Sequence, residues 1–255
     1  MDVARSLRRR VLELQDRYAG DIGDYVKLAL LRALSPGLKL GIAWYLYPDE
    51  GHNDDGRHVS YLNNAPHWRD LDPDLFDLLQ GIVETGRSVT AIERCNVLEA
   101  EFSNQVLDHQ KLPASLRSEA RADWFGRVMH QMRGCDLVFA DPDNGLTDSD
   151  AGRRSKPRFG KCLPLEEALA LASGRSALIY HHKSRFKGGH DLEVDHWLGK
   201  LGEGSLAIRA NAYSCRTFFL VNPTGLLADR ARNFCVTWRD HKVRLYEGAR
   251  ASIPL

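Results

Sequence analysis

A chain of 255 residues suffices for one large α/β domain or two small ones. Its 35 lysines and arginines against 34 aspartates and glutamates give a net charge of +1, which excludes a polybasic, histone-like protein but not a local basic patch. No apolar run approaches the roughly 18–20 residues that span a bilayer, and five widely spaced cysteines with no C-x-x-C pair argue against a disulfide framework and a zinc ribbon.

Residues 3–17 place Val3, Leu7, Val11 and Leu14 at helical spacing among arginines. Asp24 is expected to cap a second helix over 27–34, stopped by Ser35-Pro36-Gly37. The run LKLGIAWYLY (38–47) predicts a strand ended by Pro48-Asp49-Glu50-Gly51, and a long loop over 52–70 follows, with a short strand at 59–62. DLFDLLQGIVETG predicts an amphipathic helix ended by Gly86, SVTAIER a strand, residues 114–132 a helix, and CDLVFA the next strand. Residues 147–160 read as a polar, basic loop, and Pro164 as a proline in the first turn of a helix that ends at Gly174. SALIYHH predicts a strand and DLEVDHWLGKLG a helix; LAIRANAY and RTFFLVNP then close the sheet as a strand pair. A short helix over 224–234 leads to the C-terminal CVTWRDHKVRLYE.

The alternation of strands and helices predicts a single α/β domain over 1–255: a helical segment (1–37), a sheet core (38–223) and a C-terminal extension (224–255). The expected architecture is a Rossmann-like, mainly parallel sheet with helices on both faces and a late antiparallel hairpin strand.

In such sheets ligands bind beyond the carboxyl ends of the strands. Asp49 follows the first strand, Glu93 follows SVTAI, Asp141, Asp143 and Asn144 follow DLVFA, and His182, Lys183 and Arg185 follow SALIY. The run Asp-Pro-Asp-Asn-Gly is also ordinary turn chemistry. Because neighbouring side chains on a strand face opposite ways, only one of His181 and His182 is expected at a ligand. Arg153, Arg154, Lys156, Arg158, Lys183, Arg185 and Lys187 form a candidate rim for phosphates. YAGDIGDYVK puts Asp21, Asp24 and Lys27 at a helix start over the same mouth, without the glycine spacing of a phosphate loop. No G-x-S-x-G, H-E-x-x-H or strand-borne G-x-G-x-x-G occurs, which argues against a serine hydrolase, a zincin and a nicotinamide dehydrogenase.

DLVFADPDN resembles the strand and loop of class I S-adenosylmethionine-dependent methyltransferases that act on amino groups of nucleobases, where an Asp/Asn-Pro-Pro-Tyr/Phe element binds the amine. LAIRANAYSCRTFFLVNP is similar to that fold's reversed final strand. GDIGDYVKLALLRAL is similar to the Asn-x-Ala-Asp-Val-x-Lys-His segment of bacterial large-subunit ribosomal RNA adenine methyltransferases. The resemblance implies methyl transfer from S-adenosylmethionine to an exocyclic amine of a nucleic acid. By that resemblance Asp24 and Lys27 would lie on the cofactor side and Asp141 with Asn144 at the amine. From their places at the strand ends and in the loops beside them, Asp21, Asp49 and Glu93 join the cofactor-side candidates, Asp143 and His182 the catalytic ones, and Arg153, Arg154, Lys161, Lys183 and Arg185 the substrate-binding ones. Asp143 and Asn144 stand where that family has Pro and an aromatic. They open an alternative, a Mg- or Mn-dependent nuclease with Asp141 and Asp143 as metal ligands and His182 as general base. A non-catalytic binding module on the same fold is the third reading. With no apolar segment or cleavage site at the N-terminus, a cytoplasmic, non-membrane protein with reduced thiols is expected.

Overall fold

The computed structural model describes residues 19–48 and 58–246. The helix expected over 3–17, and Asp49, lie outside the described residues. Helix α1 (Ile22–Leu34) begins earlier than its sequence suggests: Asp21, not Asp24, is the N-cap, its carboxylate accepting the Asp24 amide at 2.9 Å. Strand β1 (Leu40–Ala43), helices α2 (Pro73–Thr85) and α3 (Val89–Arg94), strand β2 (Ala100–Ser103) and helix α4 (Ala114–Gln131) follow. Then come β3 (Leu137–Ala140), the short strands β4 (Gly145–Thr147) and β5 (Cys162–Pro164), helix α5 (Leu165–Leu171), β6 (Ser176–His182) and α6 (His190–Leu201). The chain closes with β7 (Leu206–Ala210), β8 (Arg216–Val221), α7 (Gly225–Thr237) and β9 (Val243–Tyr246).

Seven strands form one sheet in the order β2-β1-β3-β6-β8-β7-β9. The first four are parallel, in a register that sets Ala43 beside Ser103 and Ala140, and Ala140 beside Ile179. Strand β8 runs antiparallel to β6 and β7, and β9 antiparallel to β7. This is the mainly parallel, Rossmann-like sheet with a late reversed strand that the sequence predicts. Strands β4 and β5 pair separately.

Leu137 and Phe139 enter one core with α1, α2 and α7, while Val138 and Ala140 enter a second with α4, α5 and α6. Burial on both faces is why this strand reads as an unbroken apolar run instead of an alternating one. No helix among the described residues is long and apolar enough to cross a membrane, and all five cysteines are free thiols.

Several local expectations fail for identifiable reasons. SVTAIER is helix α3, not a strand: the Ser88 hydroxyl accepts the Ala91 amide at 2.8 Å, and this cap, with Val89 and Ile92 buried three residues apart, outweighs the β-branched composition. The strand beside β1 is AEFS instead, too short and too polar to read. In place of a strand over 59–62, Ser60–Asn63 form a 3₁₀ turn that Val59 precedes. Pro164 ends β5 and precedes α5 instead of lying inside that helix. The apolar run over 38–47 gives four strand residues, after which Trp44 to Tyr47 continue buried but outside the ladder. The unread β9 ties the C-terminal extension into the sheet, Val243 pairing with Ala210.

Candidate functional site

The carboxyl ends of β1, β3 and β6 open on one side of the sheet, and the first turns of α1 lie across them. Asp21, Asp24 and Lys27 recur every three residues and so share one helix face. Lys27 Nζ lies 2.8 Å from Asp141 Oδ2 and 2.7 Å from Asp24 Oδ1, with the Trp44 ring centroid 5.3 Å away. Burial works against the ammonium, but Asp141 and Asp24 hold its proton well above the ordinary lysine range. Arg216, at the start of β8, places Nη2 3.6 Å from Asp21 Oδ2. A side chain at Gly23 would meet this guanidinium at 2.5 Å, so Arg216 would have to shift to admit one. Three carboxylates thus face two cations in one network: Arg216 on Asp21, and Lys27 on Asp24 and Asp141, with Asp21 and Asp24 joined through the Asp24 amide.

Asp141 is fixed by its backbone as well, its amide donating to Ala43 O at 3.0 Å. Its Oδ1 accepts no hydrogen bond from the described residues, because Lys27 takes only Oδ2. Trp44 donates its indole N–H to Glu93 at 2.9 Å. Glu93 therefore does reach the mouth, but from helix α3 and through Trp44, not from a strand end. Tyr45 carries a left-handed φ of +50°, so the chain turns after β1 without a glycine.

The loop after Asp141 is both a turn and a site edge. Gly145, at φ +82°, could carry no Cβ, which would lie 2.5 Å from His181 Nδ1. The Leu146 amide donates to that nitrogen at 3.0 Å, and the Asn144 amide donates to Lys161 O at 2.9 Å. Asp143 and Asn144 themselves are exposed. Asp143 lies 3.8 Å from Lys161, so the two aspartates of Asp-Pro-Asp face different cations.

His181 and His182 divide as the strand pleat requires: His181 is buried against Glu193, and His182 is exposed with Nδ1 3.4 Å from the Tyr180 hydroxyl. Lys183 and Arg185 are exposed on the following loop. Arg153 and Arg154 are taken up locally, Arg153 by Asp150 and Thr147, and Arg154 by Ser149 and Glu166 of α5. Arg154 also lines a cavity of about 330 Å³ with Arg121, Phe159 and Glu167. The sequence-level reading omits Trp44, Tyr180 and Arg216; Arg216 could have been suspected from its place at the first residue of the reversed strand.

Among the described residues no group of three or more His, Cys, Asp and Glu side chains converges to hold a metal. Asp141 lies against Lys27, and Asp143 beside Lys161. No family model, curated protein or solved structure matches the chain.

Proposed function

We propose that this chain is a nucleic-acid-modifying enzyme that transfers a methyl group from S-adenosylmethionine to an exocyclic amine. The observation that carries the reading is Asp141: a carboxylate at the end of the central parallel strand, clamped through Oδ2 by Lys27, with Oδ1 left open at the mouth. An amine needs little acid–base help in such a reaction; it needs its lone pair aimed at the methyl group. Asp141 Oδ1 would accept an amine N–H and set that direction; burial pushes the carboxyl up, and the Lys27 ammonium, pulling the other way, holds Oδ2 in one rotamer.

The reversed strand β8 between β6 and β7 supports the same reading, being the feature that the family resemblance requires. The cofactor is cationic at sulfur and carries a hydroxylated ribose, which suits a mouth with Asp21, Asp24 and Asp141 against Lys27 and Arg216. Trp44 and Tyr45 stand where the resembled family has a glycine-rich turn, so side chains, not a close backbone, would hold it. Lys161, Lys183 and Arg185 would meet phosphates, and a base reacting here would have to leave its stack.

Thermal-shift titration tests the reading. S-adenosylmethionine at a hundredfold excess over its Kd should stabilise the fold by about 2.7 kcal/mol, and Asp24→Ala should abolish the shift. Asp141→Asn should keep the shift but lose methyl transfer to nucleic acid. A shift with Mg or Mn alone, lost in Asp141→Ala, would instead establish the nuclease.

A further inference from the structure

The turn between β7 and β8 carries an aromatic side chain that the methyl-transfer reading does not use. Strand β8 runs antiparallel to both β6 and β7, so β7 runs with the parallel strands, and residues 211–215 turn at the same end of the sheet as Asp141. Arg216 ties this turn to the mouth: its Nη1 donates to Ala212 O at 3.5 Å, and its Nη2 lies 3.6 Å from Asp21 Oδ2. The loop after β6 is seated on the turn as well, the Lys183 amide donating to Cys215 O at 3.5 Å.

Tyr213 stands at the tip. The Ser214 amide donates to Ala212 O at 2.7 Å, and Tyr213 between them has φ +61°. A three-residue turn with a left-handed centre is rare and strained, more so with a side chain than with glycine. Core packing does not repay that cost: Tyr213 is 52% exposed, whereas Tyr25, Tyr45, Tyr47 and Tyr61 are at most 2%. Two rings hold it in place, His58 with its centroid at 5.7 Å and Trp68 at 6.5 Å, both within 37° of its plane. Both supports are anchored on α1, for the His58 carbonyl accepts the Ile22 amide at 3.0 Å and the Trp68 carbonyl the Tyr25 hydroxyl at 2.8 Å. Cations flank the turn on either side. Lys183 and Arg185 are exposed beyond β6, and Lys242, exposed just before β9, accepts the Asn211 amide on its carbonyl at 3.1 Å.

We propose that single-stranded nucleic acid crosses this turn, with a base next to the reacting one stacked on Tyr213. The inference rests on the nucleic-acid reading of the Asp141 mouth and names its substrate as an unpaired strand. A fixed, half-exposed aromatic face between cations suits a planar base with a phosphate on each side, and unpaired bases alone offer their faces to it. Lys27, Asp24, Asp21 and Arg216 lie between Asp141 and the turn, so the stacked base is a neighbour of the reacting one. An unpaired strand also spares the cost of extruding the reacting base from a duplex.

Fluorescence anisotropy with labelled strands of about twelve nucleotides, offered as DNA, as RNA, as a duplex and as an abasic chain, tests the proposal. Single strands should bind about tenfold more tightly than the duplex or the abasic chain. Tyr213→Gly, which suits the left-handed turn, should weaken single-strand binding about tenfold and leave the abasic chain unaffected. Tyr213→Phe keeps the aromatic face and should bind as the wild type does. Lys242→Asn, which tolerates that residue's own left-handed φ, should reduce the slope of log affinity against log salt by about 0.7. The proposal is overturned if the wild type binds no single strand or prefers the duplex, or if Tyr213→Gly binds single strands unchanged. It is equally overturned if Tyr213→Gly weakens the abasic chain as much, if Tyr213→Phe binds as poorly as Tyr213→Gly, or if Lys242→Asn leaves the salt slope unchanged. The methyl-transfer reading fails separately: no thermal shift with S-adenosylmethionine, beside intact Tyr213-dependent binding, removes the cofactor and leaves the strand site standing.

Discussion

Lys27 shows how much a single side chain can carry. Its ammonium pairs with both Asp24 and Asp141, the latter 114 residues away in sequence, at 12% side-chain exposure, where water screens little. Lys27→Met keeps the volume of the stem and removes the cation, leaving two buried carboxylates facing one another. Breaking a buried pair in this way costs about 3–5 kcal/mol, and urea unfolding should register the loss. Adding Asp141→Leu to Lys27→Met should recover part of it, because one of the orphaned charges disappears. The sequence placed Asp24 and Lys27 near the mouth through helix phase, but nothing in one dimension paired Lys27 with Asp141.

At the scale of elements, the β4–β5 edge is held by one buried pair. Arg121 of α4 binds Glu167 of α5 with Nε at 2.6 Å and Nη2 at 3.0 Å, and donates to the carbonyls of Phe159 and Cys162. The Tyr45 hydroxyl donates to Glu167 at 3.2 Å, so the chain leaving β1 is tied to the same point. Every nitrogen of the guanidinium donates, four hydrogen bonds in all, which is what makes a buried pair tolerable. Glu167→Gln should therefore loosen Pro157–Lys161 and destabilise the fold by about 3 kcal/mol; hydrogen exchange at the amides of 159–163 should quicken more than elsewhere. The basic residues of this stretch looked in sequence like a free phosphate rim. In the fold Arg153 and Arg154 pair with Asp150 and Glu166 while their side chains stay 55% and 42% exposed, and Lys183 and Arg185 on the β6 loop are exposed as well.

The whole molecule responds to acid through buried groups. His109 is 1% exposed with neither ring nitrogen hydrogen-bonded. Burial, with the charges of Arg121 and Arg117, lowers its pKa from 6.5 to about 4. The unfolded chain thus takes up a proton that the folded one refuses. Its contribution to stability is full above pH 6.5 and disappears as pH falls towards 4. Glu193, lowered from 4.5 to about 2, adds a second loss below pH 4.5. Thermal midpoints should fall in both windows, and His109→Phe should flatten the first while leaving the second.

The sequence by itself determined the strands that are buried on both faces, because LVFA and SALIY need no partner to declare themselves apolar, and it determined the helices whose period and caps are local. It also fixed which polar residues follow those strands, and that His181 and His182 must face apart. The tertiary structure decided what depends on distant neighbours. It made Val89–Arg94 a helix and AEFS a strand, since a short segment takes its state from what covers it. It set the place of β8 between β6 and β7 and the joining of β9, and it chose Lys27, Trp44 and Arg216 as the companions of Asp141. Charge pairing and strand order are long-range quantities, and only the folded chain brings their partners within a few ångströms.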